Sequence, residues 1–155
     1  MFPLLVVGSA SIDDVRSKVK ERVEDKLSPD DVLVTSQNFR PNIVLKTKTP
    51  FIEDKCRRLR ITSSKTMGDV MDIQLIYFSA RCNIPNVNYE TGIGNAFPVL
   101  KTLMSYRRID PSKQSDACFG VNACPVQTGC TIHVGDYVTV VKSGLLISPE
   151  KPKKG

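Results

Sequence analysis

Arg81 and Cys82 form the pairing in this chain best placed to do chemistry. They follow an apolar run, residues 70–78, in which Ile73, Leu75, Ile76, Tyr77 and Phe78 favour a strand. After them, residues 83–95 contain Pro85, two glycines and four asparagines and read as a loop. A thiol held where a strand gives way to a loop is both rigidly placed and reachable. Its thiolate is the form that binds metals or attacks electrophiles, and a nearby guanidinium favours that form. Thiolate sulfur is a soft donor, suited to metals already bound through sulfur. Adjacent strand side chains point to opposite faces, however, which leaves open whether Arg81 acts on Cys82 at all.

Other candidate chemistries are weaker. The chain has one histidine, His133, in a strand-like context. Any Ser-His-Asp or Cys-His site would have to use it, and no GxSxG elbow is present. The GxG of Gly92 and Gly94 lacks the strand-loop-helix setting of a nucleotide fingerprint and reads as a turn. No carboxylate pair has a glycosidase-like arrangement. The cysteines are Cys56, Cys82, Cys118, Cys124 and Cys130. An odd count without a secretory signal argues against a disulfide framework, and the lack of CxxC or CxH spacing argues against zinc. Most of these thiols are expected to be small core residues, with Cys82 the exception by context.

The net charge of +6 is spread unevenly. Part lies in the tail Lys151-Pro152-Lys153-Lys154, and residues 11–27 mix signs as a solvated helix face does. Aromatics are 6% with no Trp, which is a poor composition for a nucleic-acid surface. The group Arg40, Arg57, Arg58, Arg60 and Arg81 is more suggestive, because guanidinium forks suit phosphates and carboxylates. Its alternative use is ion pairing with Glu53 and Asp54. No apolar run nears the roughly 18 residues of a membrane helix. The opening MFPLLVV is too short for a signal peptide and reads as a buried strand. These features suggest a soluble intracellular protein.

The positioning elements follow from periodicity. A strand is expected over 3–7. A helix follows over 11–27, with Ile12, Val15, Val19, Val23 and Leu27 as one stripe, Ser9 or Ser11 as cap, and Asp13 and Asp14 in its first turn. Strands are expected over 32–35, 42–46, 59–62, 70–78 and 119–123, with one or two more over 131–141. Residues 63–68 read as a loop. A second helix opens at Pro98 and uses Val99, Leu100, Leu103 and Tyr106. The fold class is mainly β with two or three helices, resembling a β-barrel, in one domain over 1–148 with a basic flexible tail over 149–155.

Several segments in this order resemble one family. They are Phe39-Arg40-Pro41-Asn42, Glu53-Asp54 before Arg58-Leu59-Arg60, Arg81-Cys82, Thr91-Gly92, Leu100-Lys101-Thr102-Leu103, Phe119-Gly120 and Val134-Gly135-Asp136. Together they resemble the MOSC domain of molybdenum cofactor sulfurases and of the amidoxime-reducing component, over about residues 3–141. The resemblance implies a MOSC-type β-barrel and a pterin-based molybdenum cofactor. It assigns the molybdenum ligand to Cys82 and cofactor contacts to Arg40 and Asn42, with Ala80, Arg81 and Asn122 beside them. Ala80 stands where the amidoxime-reducing branch usually has Ser, leaving a backbone contact only. Asn122 stands where that branch tends to have Tyr.

The implied activity is reduction of N-hydroxylated substrates, with electrons from a haem protein and its flavin reductase. The alternative is a non-redox cofactor-binding or sulfur-carrier domain acting with a cysteine desulfurase, pyridoxal phosphate then belonging to the partner. Longer family members carry a further N-terminal β-rich portion that supplies cofactor contacts. The expectation is thus a short member or a fragment, cytoplasmic or organelle-associated through such a portion.

Overall fold

The computed structural model describes residues 3–23, 33–65, 69–94, 96–144 and 146. Six strands, β1 (Leu4–Gly8), β2 (Ile43–Leu45), β3 (Cys56–Thr62), β4 (Val70–Ala80), β5 (Cys118–Pro125) and β6 (Tyr137–Ser143), form one sheet in the order β2-β1-β5-β4-β3-β6. The β1–β2 pair is parallel and every other pair is antiparallel. Three helices accompany it: α1 (Ser9–Val23), α2 (Ser36–Phe39) and α3 (Val99–Tyr106). The mainly β expectation holds, and the sheet is a half-barrel with β2 and β6 at its edges.

The sheet is buried on both faces through its middle. Val7 and Phe119 meet Ile12, Val15 and Val19 of α1 and Val99 and Leu103 of α3 on one face. On the other, Val6, Leu59, Ile73, Leu75, Val121 and Ala123 pack together. A strand with both faces covered needs no polar alternation. That is why β1 reads as a continuous apolar run.

Phe78 pairs with Val121 and Ala80 with Cys118, so β5 carries one residue more than β4 over this step. Gly120 absorbs the extra residue at φ 77°, a conformation that favours glycine. A Cβ there would lie 2.8 Å from Val7 Cγ2 and 3.0 Å from the Val6 carbonyl oxygen. The bulge sits beside the end of β4, where Arg81 begins.

Several boundaries differ from the sequence reading. The first helix starts at Ser9 rather than Ser11, so Asp13 and Asp14 fall beyond its first turn. The acid at its N-terminus is Glu53, fully buried, whose Oε1 accepts from the Gly8 N–H (2.9 Å) and the Ser11 hydroxyl (2.7 Å). Residues 33–35 are not a strand. Thr35 caps α2, a helix too short to show periodicity. Of 131–141, only the part from Tyr137 is strand, because Gly135 at φ 98° and Asp136 make a turn ahead of it. The expected helix end at 24–27, part of the 63–68 loop and the tail over 149–155 lie outside the described residues.

Candidate functional site

The last ladder bond beyond β4 runs from the Arg81 N–H to the Ala117 carbonyl (2.8 Å), and Cys82 is the next residue, exposed. The two side chains separate there. Arg81 turns inward, donating to the Phe39 carbonyl (2.7 Å) and the Ser79 hydroxyl (3.3 Å), with its guanidinium 5.8 Å from the Phe39 ring centroid. Burial pulls the Arg81 pKa below its ordinary value, while the nearby Cys82 thiol and Tyr89 phenol act the opposite way.

The Phe39 carbonyl belongs to the end of α2, where Arg40 adopts φ 54° and ψ 48° and its N–H bonds the Ser36 and Gln37 carbonyls at 3.1 and 3.2 Å. A left-handed non-glycine residue costs backbone energy and persists only where neighbours hold it. Arg81 is one such neighbour. Asn38 is another: its Oδ1 accepts from the Thr35 N–H (2.8 Å), and its Nδ2 donates to the Pro85 (3.1 Å) and Val87 (2.9 Å) carbonyls. Asn38 thus ties α2 to the loop after Cys82.

This clamp brings Arg40 and Cys82 to one pocket of about 330 Å³, lined also by Leu5, Phe39, Ala80, Arg81 and Ile84. Asn42 donates its backbone N–H to the Leu5 carbonyl (3.0 Å) and accepts from the Leu5 N–H through Oδ1 (2.8 Å). Its N–H₂ end is what it can offer a ligand. Asn122 pairs with Leu5 on one side and Tyr77 on the other, sharing the face of Leu5 one strand from the pocket.

Other candidates lie elsewhere. His133 is in the turn, its N–H bonded to Asp136 Oδ2 (2.7 Å). It borders a groove of about 570 Å³ between β2 and the segment leading to β6. Asp136 is held below the usual carboxylate range first by the Ser64 and His133 backbone N–H groups. Arg58 and Arg60 pair with Asp72 at 2.9 and 2.8 Å, rather than with Glu53 and Asp54. Those two acids are buried, and Asp54 pairs with Arg107 at 2.7 Å. Cys56 and Cys118 are buried, burial pushing the Cys118 thiol up to about 11, whereas Cys130 is exposed and Cys124 half-buried. The sequence reading missed Asn38 and Arg107, whose partners lie about fifty residues away.

Among the described residues, no group of three His, Cys, Asp or Glu side chains could hold a metal. A metal at Cys82 would therefore arrive with most of its ligands. The pocket's donors suit such a group, with one soft sulfur at the rim and an exposed guanidinium for an anionic part, whereas Asn42 lines the groove beside β2.

Fold and site together define a half-barrel domain with one exposed thiol beside an arginine-lined pocket. The chain belongs to the MOSC domain family, whose model matches residues 1–139. It is 34% identical over 140 residues to mitochondrial amidoxime-reducing component 1 of Mus musculus and 31% to that of Homo sapiens, covering 88% of this chain and 36% of each relative. It is 29% identical over 121 residues to molybdenum cofactor sulfurase of Oryza sativa subsp. japonica, covering 76% of this chain and 13% of that one. The chain thus spans about a third of the length of the amidoxime-reducing relatives. No helix among the described residues is long and apolar enough to cross a membrane.

Proposed function

We propose that this MOSC domain holds a pterin-bound molybdenum cofactor and reduces N-hydroxylated substrates, as the names of its amidoxime-reducing relatives suggest for them. The observation that carries this reading is the convergence of Cys82 and Arg40 on one pocket from positions 42 residues apart. Cys82 would give the metal its protein ligand, and Arg40 would grip an anionic end of the cofactor. Asn42 and Asn122 would meet the pterin edge, and Ala80 would offer backbone only. Arg81, committed to Phe39 and Ser79, would hold the Arg40 turn in place. When bound, that cofactor supplies two-electron redox chemistry. Electrons would come from a haem protein and its flavin reductase.

The test is metal and pterin analysis of the purified chain, wild type against Cys82→Ser, with benzamidoxime reduction by a reconstituted electron chain. Wild type is expected to carry molybdenum near one per chain and to turn over, and Cys82→Ser to lose both. A Cys82→Ser protein with full molybdenum and normal reduction would overturn the proposal. The match to a molybdenum cofactor sulfurase favours one second reading, a non-redox carrier working with a pyridoxal-phosphate-dependent cysteine desulfurase. Cofactor bound without turnover is its signature.

A further inference from the structure

A second cleft adjoins the Cys82 pocket. It has a volume of about 530 Å³ and is lined by Ser36, Gln37, Arg40, Pro41, Val44 and Tyr89. Arg40 forms a wall of both spaces. Tyr89 is 43% exposed although its loop is firmly held. Asn88 Oδ1 accepts from the Glu90 and Thr91 N–H groups at 2.9 and 3.2 Å. The Gly92 N–H bonds the Asn88 carbonyl (2.8 Å), and the Asn88 N–H bonds that of Ile93 (3.0 Å). On the near side, Asn38 fastens the Val87 carbonyl.

An aromatic ring half-open to water on a fastened loop is a ready stacking surface, since little ordering remains for a ligand to impose. Pro41 and Val44 extend the apolar floor. Arg40 presents a planar cation that stacks on π systems, and Ser36 and Gln37 can donate or accept. The size falls within the range of small-molecule sites. Arg40, shared by the two linings, sets the two spaces side by side.

We infer that the Tyr89 cleft is the subsite for the planar aromatic body of a substrate whose reacting group reaches into the Cys82 pocket past Arg40. The inference rests on the reductase reading for its direction and names the substrate class, an aryl rather than alkyl N-hydroxylated compound. Tyr89 is then a specificity-determining residue. Gln37 would orient a polar substituent on the ring.

The test measures binding by titration calorimetry, with benzamidoxime and acetamidoxime as probes, on the full chain and its Cys82→Ser, Tyr89→Ala, Tyr89→Phe and Gln37→Ala variants. Wild type is expected to prefer benzamidoxime about tenfold, the scale of one good aromatic contact. Tyr89→Ala should erase that preference and Tyr89→Phe keep it, with molybdenum content unchanged in both. Gln37→Ala should weaken 4-carboxybenzamidoxime more than benzamidoxime itself.

Equal affinity of wild type for the two probes, or an undiminished preference in Tyr89→Ala, overturns the inference. Molybdenum content separates the two claims. A molybdenum-free chain that still shows the Tyr89 contrast keeps the subsite and removes the reductase reading. A molybdenum-bearing chain without the contrast removes the subsite alone.

Discussion

Arg81 and Cys82 are neighbours in sequence but face different surroundings, and the pocket depends on that division. Cys82 is left to the solvent side. Arg81 spends its fork on the Phe39 carbonyl and the Ser79 hydroxyl, beside the left-handed turn at Arg40. Arg81→Met should therefore lower the unfolding free energy by about 2 kcal/mol, the scale of a hydrogen bond from a charged donor, as read by urea denaturation. With the cofactor of the proposed function, molybdenum retention should fall as well even though Cys82 is intact, because Arg40 would no longer be held at the pocket wall. Unchanged stability and retention would show that Arg81 does not hold the turn. The placement of Cys82, just past a strand end and ahead of a loop, was legible from its own surroundings in sequence. The partner of Arg81 was not, because it lies 42 residues away at the end of a helix of only four residues. Arg58 and Arg60 show the same limit. Their composition suggested anion binding, yet the β3–β4 register places them against Asp72.

At the level of elements, the start of α1 is anchored from across the fold. Glu53 Oε1 takes the Gly8 N–H and the Ser11 hydroxyl, and the Ser11 Oγ in turn accepts from the Phe51 N–H at 2.8 Å. Glu53→Ala would strand two buried donors at a helix terminus, and the expected loss is about 3 kcal/mol in equilibrium unfolding. Glu53→Gln keeps an acceptor oxygen and should lose less. The β5 bulge makes a second demand. Gly120→Ala would add a Cβ at positive φ against the Val6 backbone and Val7, with an expected cost of about 2–4 kcal/mol, measured as a lowered urea midpoint. Helix and strand patterns gave β1, β4 and the apolar faces of α1 and α3 from sequence. They could not give the helix start, which Glu53 sets, or the short α2, which Thr35 and Asn38 close by side-chain bonds.

Across the whole molecule, one buried clasp joins the helical side to the sheet. Arg107, just past α3, pairs with Asp54 at 2.7 Å and donates Nε to the Cys118 carbonyl of β5 at 3.2 Å. Its guanidinium also lies 3.9 Å from the Phe51 ring centroid. Asp54 Oδ1 is buried without a hydrogen-bond partner, and burial outweighs the attraction of Arg107, raising the Asp54 pKa from 3.8 to about 6. A folded-state pKa above the unfolded one means that the fold binds a proton the unfolded chain has already released. The contribution of Asp54 to stability is therefore fully present below about pH 4 and lost as pH rises through about 6, a change of roughly 3 kcal/mol. Asp72 and Asp136 act in the opposite direction, since both are held below the ordinary range and their contributions fade as pH falls. Subtraction isolates the clasp. With urea midpoints taken from pH 4 to 7 for wild type and Asp54→Asn, the stability of wild type relative to the variant should decline with rising pH. A difference that stays flat, or that grows toward pH 7, would mean that Arg107 keeps Asp54 ionised throughout and that the clasp is an ordinary ion pair.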